Sequence, residues 1–480
     1  GDEAGTALTT GDENVAIGFE ALATEDTGSQ SVAIGYEALT TANRDGNSAN
    51  TAVGYQAGTA VTSGSGLTFL GYKAGAATTN TTGVTFVGNL AGEDNTTGNN
   101  NTAVGSQALA ANTVGDRNVA IGDVALFNLN PSTNADTHNT AVGHASGFAM
   151  TTGVRNTLLG SNSGNAITTG NQNTIVGEGA GVALTDADYN VAIGRAALPS
   201  DTKGNRTVAI GYNTLAAQNF TTSTDTYNTA VGYEAGAAVT TGLYNTLIGG
   251  LAGDALTDAD FNVALGQNAL TVDTLGSKST AIGAAALNVQ NFTTATDSHN
   301  TAVGYSAGSA VTTGVENTLI GSLAGDAITT GNENTALGKS AMSANTNGRR
   351  NTALGHSALV AYNHTTATNA YNTAVGYNAG AAVTTGLVST FIGALAGDAI
   401  TTANSNVAVG SSALSTETSG ANCTAIGTNA LATQNVAGGT NVANTAVGYD
   451  AGTAVTSGVQ NTFVGAYAGD GTDDGNNNVA

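Results

Sequence analysis

The chain has 480 residues, of which 9% are charged, with 67 glycines, two prolines, one cysteine, no tryptophan and a net charge of −23. Eleven Lys and Arg spread thinly along such a chain exclude binding to nucleic acid through phosphates and leave no basic face for an anionic membrane. A lone Cys423 excludes an intramolecular disulfide, and the scarcity of large side chains excludes a thick core, leaving only one built by close backbone approach.

The predicted elements recur at a fixed interval from the first residues onward. Asn14-Val15-Ala16-Ile17-Gly18 is followed by Gln30-Ser31-Val32-Ala33-Ile34-Gly35, then by Asn101-Thr102-Ala103-Val104-Gly105 and, far along, Asn444-Thr445-Ala446-Val447-Gly448. Taken as anchors, the closing glycines define 26 coils, stepping by 17 residues with one step of 19 and five of 21. From Gly232 the long steps close a four-coil super-repeat of 72 residues, at Gly304, Gly376 and Gly448. Four residues after each anchor, pairs of leucine and pairs of glycine alternate: Leu198 and Leu215, Gly236 and Gly253, Leu270 and Leu287, Gly308 and Gly325. Gly1 lies 17 residues before Gly18, and the chain stops at Asn478-Val479-Ala480, where the next anchor segment would fall. We therefore expect residues 1–480 to be one continuous repeat array of about 27 coils, a window on a longer protein.

Directly before every anchor stands Ile, Val or Leu, inside a Thr/Val-rich run too short for a helix. Frequent glycine disfavours helix further. These features predict an all-β parallel solenoid, each coil holding two or three short strands that stack on their equivalents about 4.8 Å away. Turns such as Thr312-Thr313-Gly314 and Thr384-Thr385-Gly386 are expected to use glycine's freedom at positive φ. Four residues before the anchor stands a ladder of asparagines, among them Asn14, Asn101, Asn228, Asn300, Asn372 and Asn444, expected to bond neighbouring backbone at a bend. Cys423 occupies the same slot and reads as a small buried substitute.

Adjacent strand residues point to opposite faces. The residue before the anchor is expected to face the coil interior, yet the one before it is also apolar, being Ala or, for instance, Phe69, Phe86, Leu247, Leu319, Phe391 or Phe463. A strand apolar on both sides needs a second cover, and a symmetric homo-oligomer is the economical expectation.

The motif Asn-x-Ala-[Ile/Val]-Gly-x-x-Ala resembles the head repeats of trimeric autotransporter adhesins, through Gln30–Gly35 and Asn190–Gly194 in particular. Asn50-Thr51-Ala52-Val53-Gly54-Tyr55-Gln56-Ala57-Gly58 is equally similar to repeat arrays in bacteriophage tail fibres. The first resemblance implies a left-handed β-roll, a homotrimer, an extracellular place on a cell surface and attachment to a host or substratum; the second implies a shaft in a virion appendage that serves receptor binding. The coils here are longer than is usual in those heads, and the four-coil super-repeat is not typical of them.

Five long steps insert four residues into loops 127–138, 216–227, 288–299, 360–371 and 432–443. His138, Phe220, Tyr227, Phe292, His299, Tyr362 and Tyr371 are expected to protrude there as contacts for a cell-surface glycan or protein receptor, with a loop clamped on its own coil as the alternative. Asp254, Asp326, Asp398 and Asp470 recur at 72-residue spacing in Ala-Gly-Asp turns, which makes calcium the one candidate cofactor, set against solvated turn acids because no calcium-loop motif is present. No acid–base pair stands outside the repeat, and no stretch is long enough for a membrane helix, so neither an enzyme nor membrane insertion within this segment is expected. An ice-binding solenoid would need Thr-x-Thr arrays on one exposed face, whereas most threonines are read into Thr-Thr-Gly turns. The expected function is a structural fibre or adhesin rod.

Overall fold

The computed structural model describes residues 1–438 and 441–480. It divides into two units, Gly1–Thr241 and Gly242–Ala480. Each is a parallel β-solenoid, and no helix occurs among the described residues. The chain makes about 26 turns, and each turn carries one three-residue strand of the main ladder rather than the two or three strands expected. Among the described residues a second strand, two residues long, appears only beside a long coil. In the first unit these pairs are Gly115–Asp116 with Ala135–Asp136 and Gly204–Asn205 with Thr224–Asp225; in the second, Gly276–Ser277 with Thr296–Asp297 and Gly348–Arg349 with Thr368–Asn369.

In the first unit the main ladder runs from Val15–Ile17 to Thr229–Val231, and in the second from Thr246–Ile248 to Thr462–Val464. Register is strict: Thr318 lies on Thr335 and Thr335 on Thr352, while Ile320, Leu337 and Leu354 line up beside them. Backbone bonds continue past the strand, as in Gly35 N–H to Ile17 O (2.8 Å) and Glu37 N–H to Phe19 O (2.8 Å). The anchor glycines hold φ near +135° where the stack is tightest. At Gly35 (φ +138°) an added Cβ would lie 2.2 Å from Gly54 O, so only glycine fits.

The strand faces are the reverse of the expectation. The central residue, Ala or a larger apolar group, points inward and is fully buried at Ala52, Phe69, Leu247, Leu319 and Phe391. The aliphatic residue before the anchor points outward, with Leu70 49%, Leu159 47% and Leu265 42% exposed. The reason is volume. Where the centre of a coil or of the next one is large, the residue four after the anchor is glycine: a Cβ on Gly325 in the coil of Leu319, or on Gly308 in the coil before it, would come within 2.7 Å of Leu319, and one on Gly75 within 2.3 Å of Phe69. Where the coil's own centre and that of the next coil are both alanine, as at Ala264 with Ala281 and Ala281 with Ala302, that position is a buried leucine, Leu270 or Leu287. These leucines sit at φ of +55° and +48°, a conformation costing roughly 1–2 kcal/mol. Complete burial of a leucine side chain returns about 1.5–3 kcal/mol, so burial wins.

One chain thus fills its own interior. The apolar face left open is the outward one.

Candidate functional site

Each coil carries ladders whose side chains bond the next coil. The asparagine four before the anchor does this twice. Asn300 donates from Nδ2 to Gly314 O (2.7 Å), and its Oδ1 accepts from Asn317 N–H (2.9 Å). The same pair of bonds is made by Asn14, Asn101, Asn372 and Asn444. Asn228 is buried and donates to Gln218 Oε1 (2.9 Å). Cys423 is buried in this slot, accepts from Gln434 Nε2 at 3.1 Å, and has its thiol pushed up by burial.

The turn threonines, eight after the anchor, form a second ladder. Thr312 donates to Thr329 O (3.2 Å), Thr329 to Thr346 O (3.1 Å) and Thr384 to Thr401 O (3.1 Å).

A third set of contacts fastens three of the five long coils. Seven residues after the anchor, most leucine-bearing coils place a polar group at a buried corner, Ala42 and Leu129 being apolar exceptions. In the first unit Asp201 is fully buried. Its Oδ1 accepts from Gly204 N–H (3.0 Å) and from Phe220 N–H (3.0 Å) in the inserted loop, and its Oδ2 from Gln218 Nε2 (2.6 Å). In the second unit Asp273 repeats this with Gly276, Phe292 and Gln290, and Glu417 does so with Gly420, Gln434 and Val436. Burial pushes the Asp201 carboxyl above the usual carboxylate range. Surface ion pairs, Arg117–Asp136, Arg206–Asp225 and Lys278–Asp297, tie the same loops from outside, and being half-exposed they add little.

These fasteners correct the expectation for the long-step loops. Phe220 and Phe292 are 7% and 6% exposed and Tyr362 is fully buried, so all three pack inward and do not protrude. Tyr362 has its phenol pushed up to about 12 by burial, and its ring lies 5.3 Å from that of His364. His138, Tyr227, His299 and Tyr371 do face solvent. Arg206 sits between the rings of Tyr189 (5.4 Å) and Tyr227 (5.7 Å), and Arg350 lies 5.8 Å from Tyr371 and bonds its hydroxyl at 2.9 Å. In loop 432–443, residues 439 and 440 lie outside the described residues.

The four candidate calcium ligands fall in separate coils, four coils or roughly 19 Å apart, so no two can share an ion. Asp254 accepts from the Thr271 hydroxyl, and burial raises the carboxyls of Asp326 and Asp398. No cluster of three metal-ligating side chains, no pocket, and no helix long and apolar enough to cross a membrane occurs among the described residues.

What remains is the outward face of the main ladder. Its first rank is the opening strand residue, threonine in 19 of the 26 main-ladder strands and valine in the rest; its second rank is the aliphatic residue before the anchor. None of these strand threonines makes a side-chain hydrogen bond among the described residues, and most are half-exposed. In the first unit Phe19, Tyr36, Tyr55 and Tyr72, each next to an anchor glycine, stack at 5.2, 5.1 and 5.3 Å. The Thr-x-aliphatic period and the recurring Gly-Tyr pair were the sequence signals for this face; the inverted strand hid them.

Neither a known protein-family model nor a curated protein matches the chain.

Proposed function

We propose that the chain is a non-enzymatic shaft of an attachment fibre, lying outside the cell on a cell surface or in a virion appendage, whose work is to hold length and transmit load. The observation that carries this reading is that every side of a coil is bonded to the next. Strand backbone, asparagine amides, turn hydroxyls and the buried carboxylate corners each cross from coil to coil, and a repeat array so joined resists separation through the sum of many nearest-neighbour contacts.

Three-fold assembly is supported by the resemblance to adhesin heads alone. An interior filled by its own chain does not require it. Recognition of a glycan or protein receptor belongs in this reading to whatever the shaft carries, and to the exposed His138, Tyr227, His299 and Tyr371 only as secondary contacts.

Pulling the chain from its two ends in an optical trap tests the proposal. The expected trace is a high-force plateau with steps that each release one 17-residue coil, about 60 Å of extended chain. Smooth extension at low force would overturn the load-bearing reading. Light scattering on the same preparation gives the number of copies, three if the assembly follows the adhesin heads.

A further inference from the structure

We propose that the outward face of the main ladder in residues 242–480 binds ice, with the strand threonines and the aliphatic residues beside them templating ordered water, so that Thr-x-aliphatic ranks take the place of the Thr-x-Thr arrays expected to be needed. The inference goes beyond the shaft reading and stands without it.

Three observations carry it. The first is the state of the hydroxyls. Turn threonines donate to the next coil's carbonyl, as Thr312 and Thr329 do, whereas the strand threonines have no protein partner among the described residues. In this unit 11 of the 13 opening strand residues are threonine, with an unbroken run through Thr280, Thr301, Thr318, Thr335, Thr352, Thr373 and Thr390. The second is register. Strict parallel pairing sets neighbours in each rank about 4.8 Å apart and the two ranks about 7 Å apart, distances of the order of the repeats in hexagonal ice. The third is charge. The chain carries 34 acidic and 11 basic residues, yet neither rank holds a single charged residue in any main-ladder strand.

Those observations favour a water lattice over a second copy of the chain. A dry protein interface would remove the whole rank of hydroxyls from water, and each one left without a partner carries a desolvation cost. Ice offers a donor and an acceptor at every rung and no charge to satisfy. The methyl and aliphatic groups between the hydroxyls hold the neighbouring water in cages that the hydroxyls then pin to the surface.

The test is partition into a slowly grown single crystal of ice, using the full chain and a folded acidic control protein. The intact chain is expected to enter the ice well above the control. A variant carrying T318K, T335K and T352K, on half-exposed positions that leave the interior untouched, is expected to fall to the control level while keeping its circular dichroism and melting temperature. Thr329→Val, which alters only the turn ladder, is expected to partition like the parent. Exclusion of the folded intact chain from ice would overturn the proposal. So would a stable oligomer that the triple lysine variant converts to single chains, since the face would then be covered by a second copy.

Discussion

In residues 242–480 two threonine ladders run through the same coils and do opposite things. The turn ladder, which includes Thr312, Thr329 and Thr384, is engaged: each hydroxyl reaches the carbonyl of the coil above. The strand ladder, through Thr318, Thr335 and Thr352, keeps its hydroxyls for the surroundings. One residue type, at one spacing, serves cohesion at the turn and surface chemistry on the sheet. The separation comes from the backbone. In a strand the carbonyls already pair along the ladder, and a side chain standing perpendicular to the sheet has no acceptor in reach; at the turn the hydroxyl lies beside a carbonyl of the next coil.

The sharpest way to break the comparison is to break the register on which both ladders depend. Gly321→Ala would put a Cβ 2.6 Å from Gly338 at φ +130° and is expected to cost about 4 kcal/mol or more, read as a fall in the urea midpoint with loss of amide protection in the coils on either side. Next in size is Asn334→Ala. Asn334 donates to Gly348 O (2.9 Å) and accepts from Asn351 N–H (3.1 Å), so the change strands buried groups and is expected to cost about 2–4 kcal/mol by chemical denaturation.

Within the ladders themselves, Thr329→Val removes hydroxyl bonds to Thr346 O and Asn347 Oδ1 and is expected to cost about 1 kcal/mol. Thr318→Val is the smallest: an isosteric change at a hydroxyl with no partner should shift stability by less than about 0.5 kcal/mol. Equal losses for these last two, measured in one denaturation series, would erase the distinction between the ladders.

Much of this architecture is legible in the spacing of glycine and asparagine. The anchor glycines mark one point where a Cβ meets the backbone above, the turn glycines Gly314 and Gly386 mark another without the positive φ expected of them, and the asparagine slot marks the bend whose carbonyls and N–H groups need side-chain partners. The facing of the strand is not legible from the strand. Ala16 and Ile17, or Leu319 and Ile320, are apolar neighbours, and alternation says that one faces in without saying which. The deciding information sits elsewhere, in the exchange of glycine for leucine four after the anchor: Gly308 and Gly325 flank the large Leu319, while Leu287 stands between the alanine centres Ala281 and Ala302.

The site residues divide in the same way. His138 and Tyr371 stand on the surface as the loop pattern suggests. Phe220 and Phe292 do not, because the acids that draw their loops inward, Asp201 and Asp273, occupy a corner that other coils fill with Val311 or Ile328, and Tyr362 does not because it fills that corner itself. Polar residues recurring at an otherwise aliphatic slot were the available signal.

The four-coil block has a consequence for how such a chain changes over generations. Coils at Gly304 and Gly376 present the same anchor and the same Asn-Thr-Ala-Val strand, followed by coils of one type that differ in side chain, Leu319 in one and Phe391 in the other. Excising residues 305–376 would join Gly304 to Tyr377, a junction already present as Gly376–Tyr377. Unequal recombination between blocks can therefore lengthen or shorten the gene in whole multiples of 72 codons while keeping the register and the coil types on either side of the junction, so that length becomes a trait open to selection.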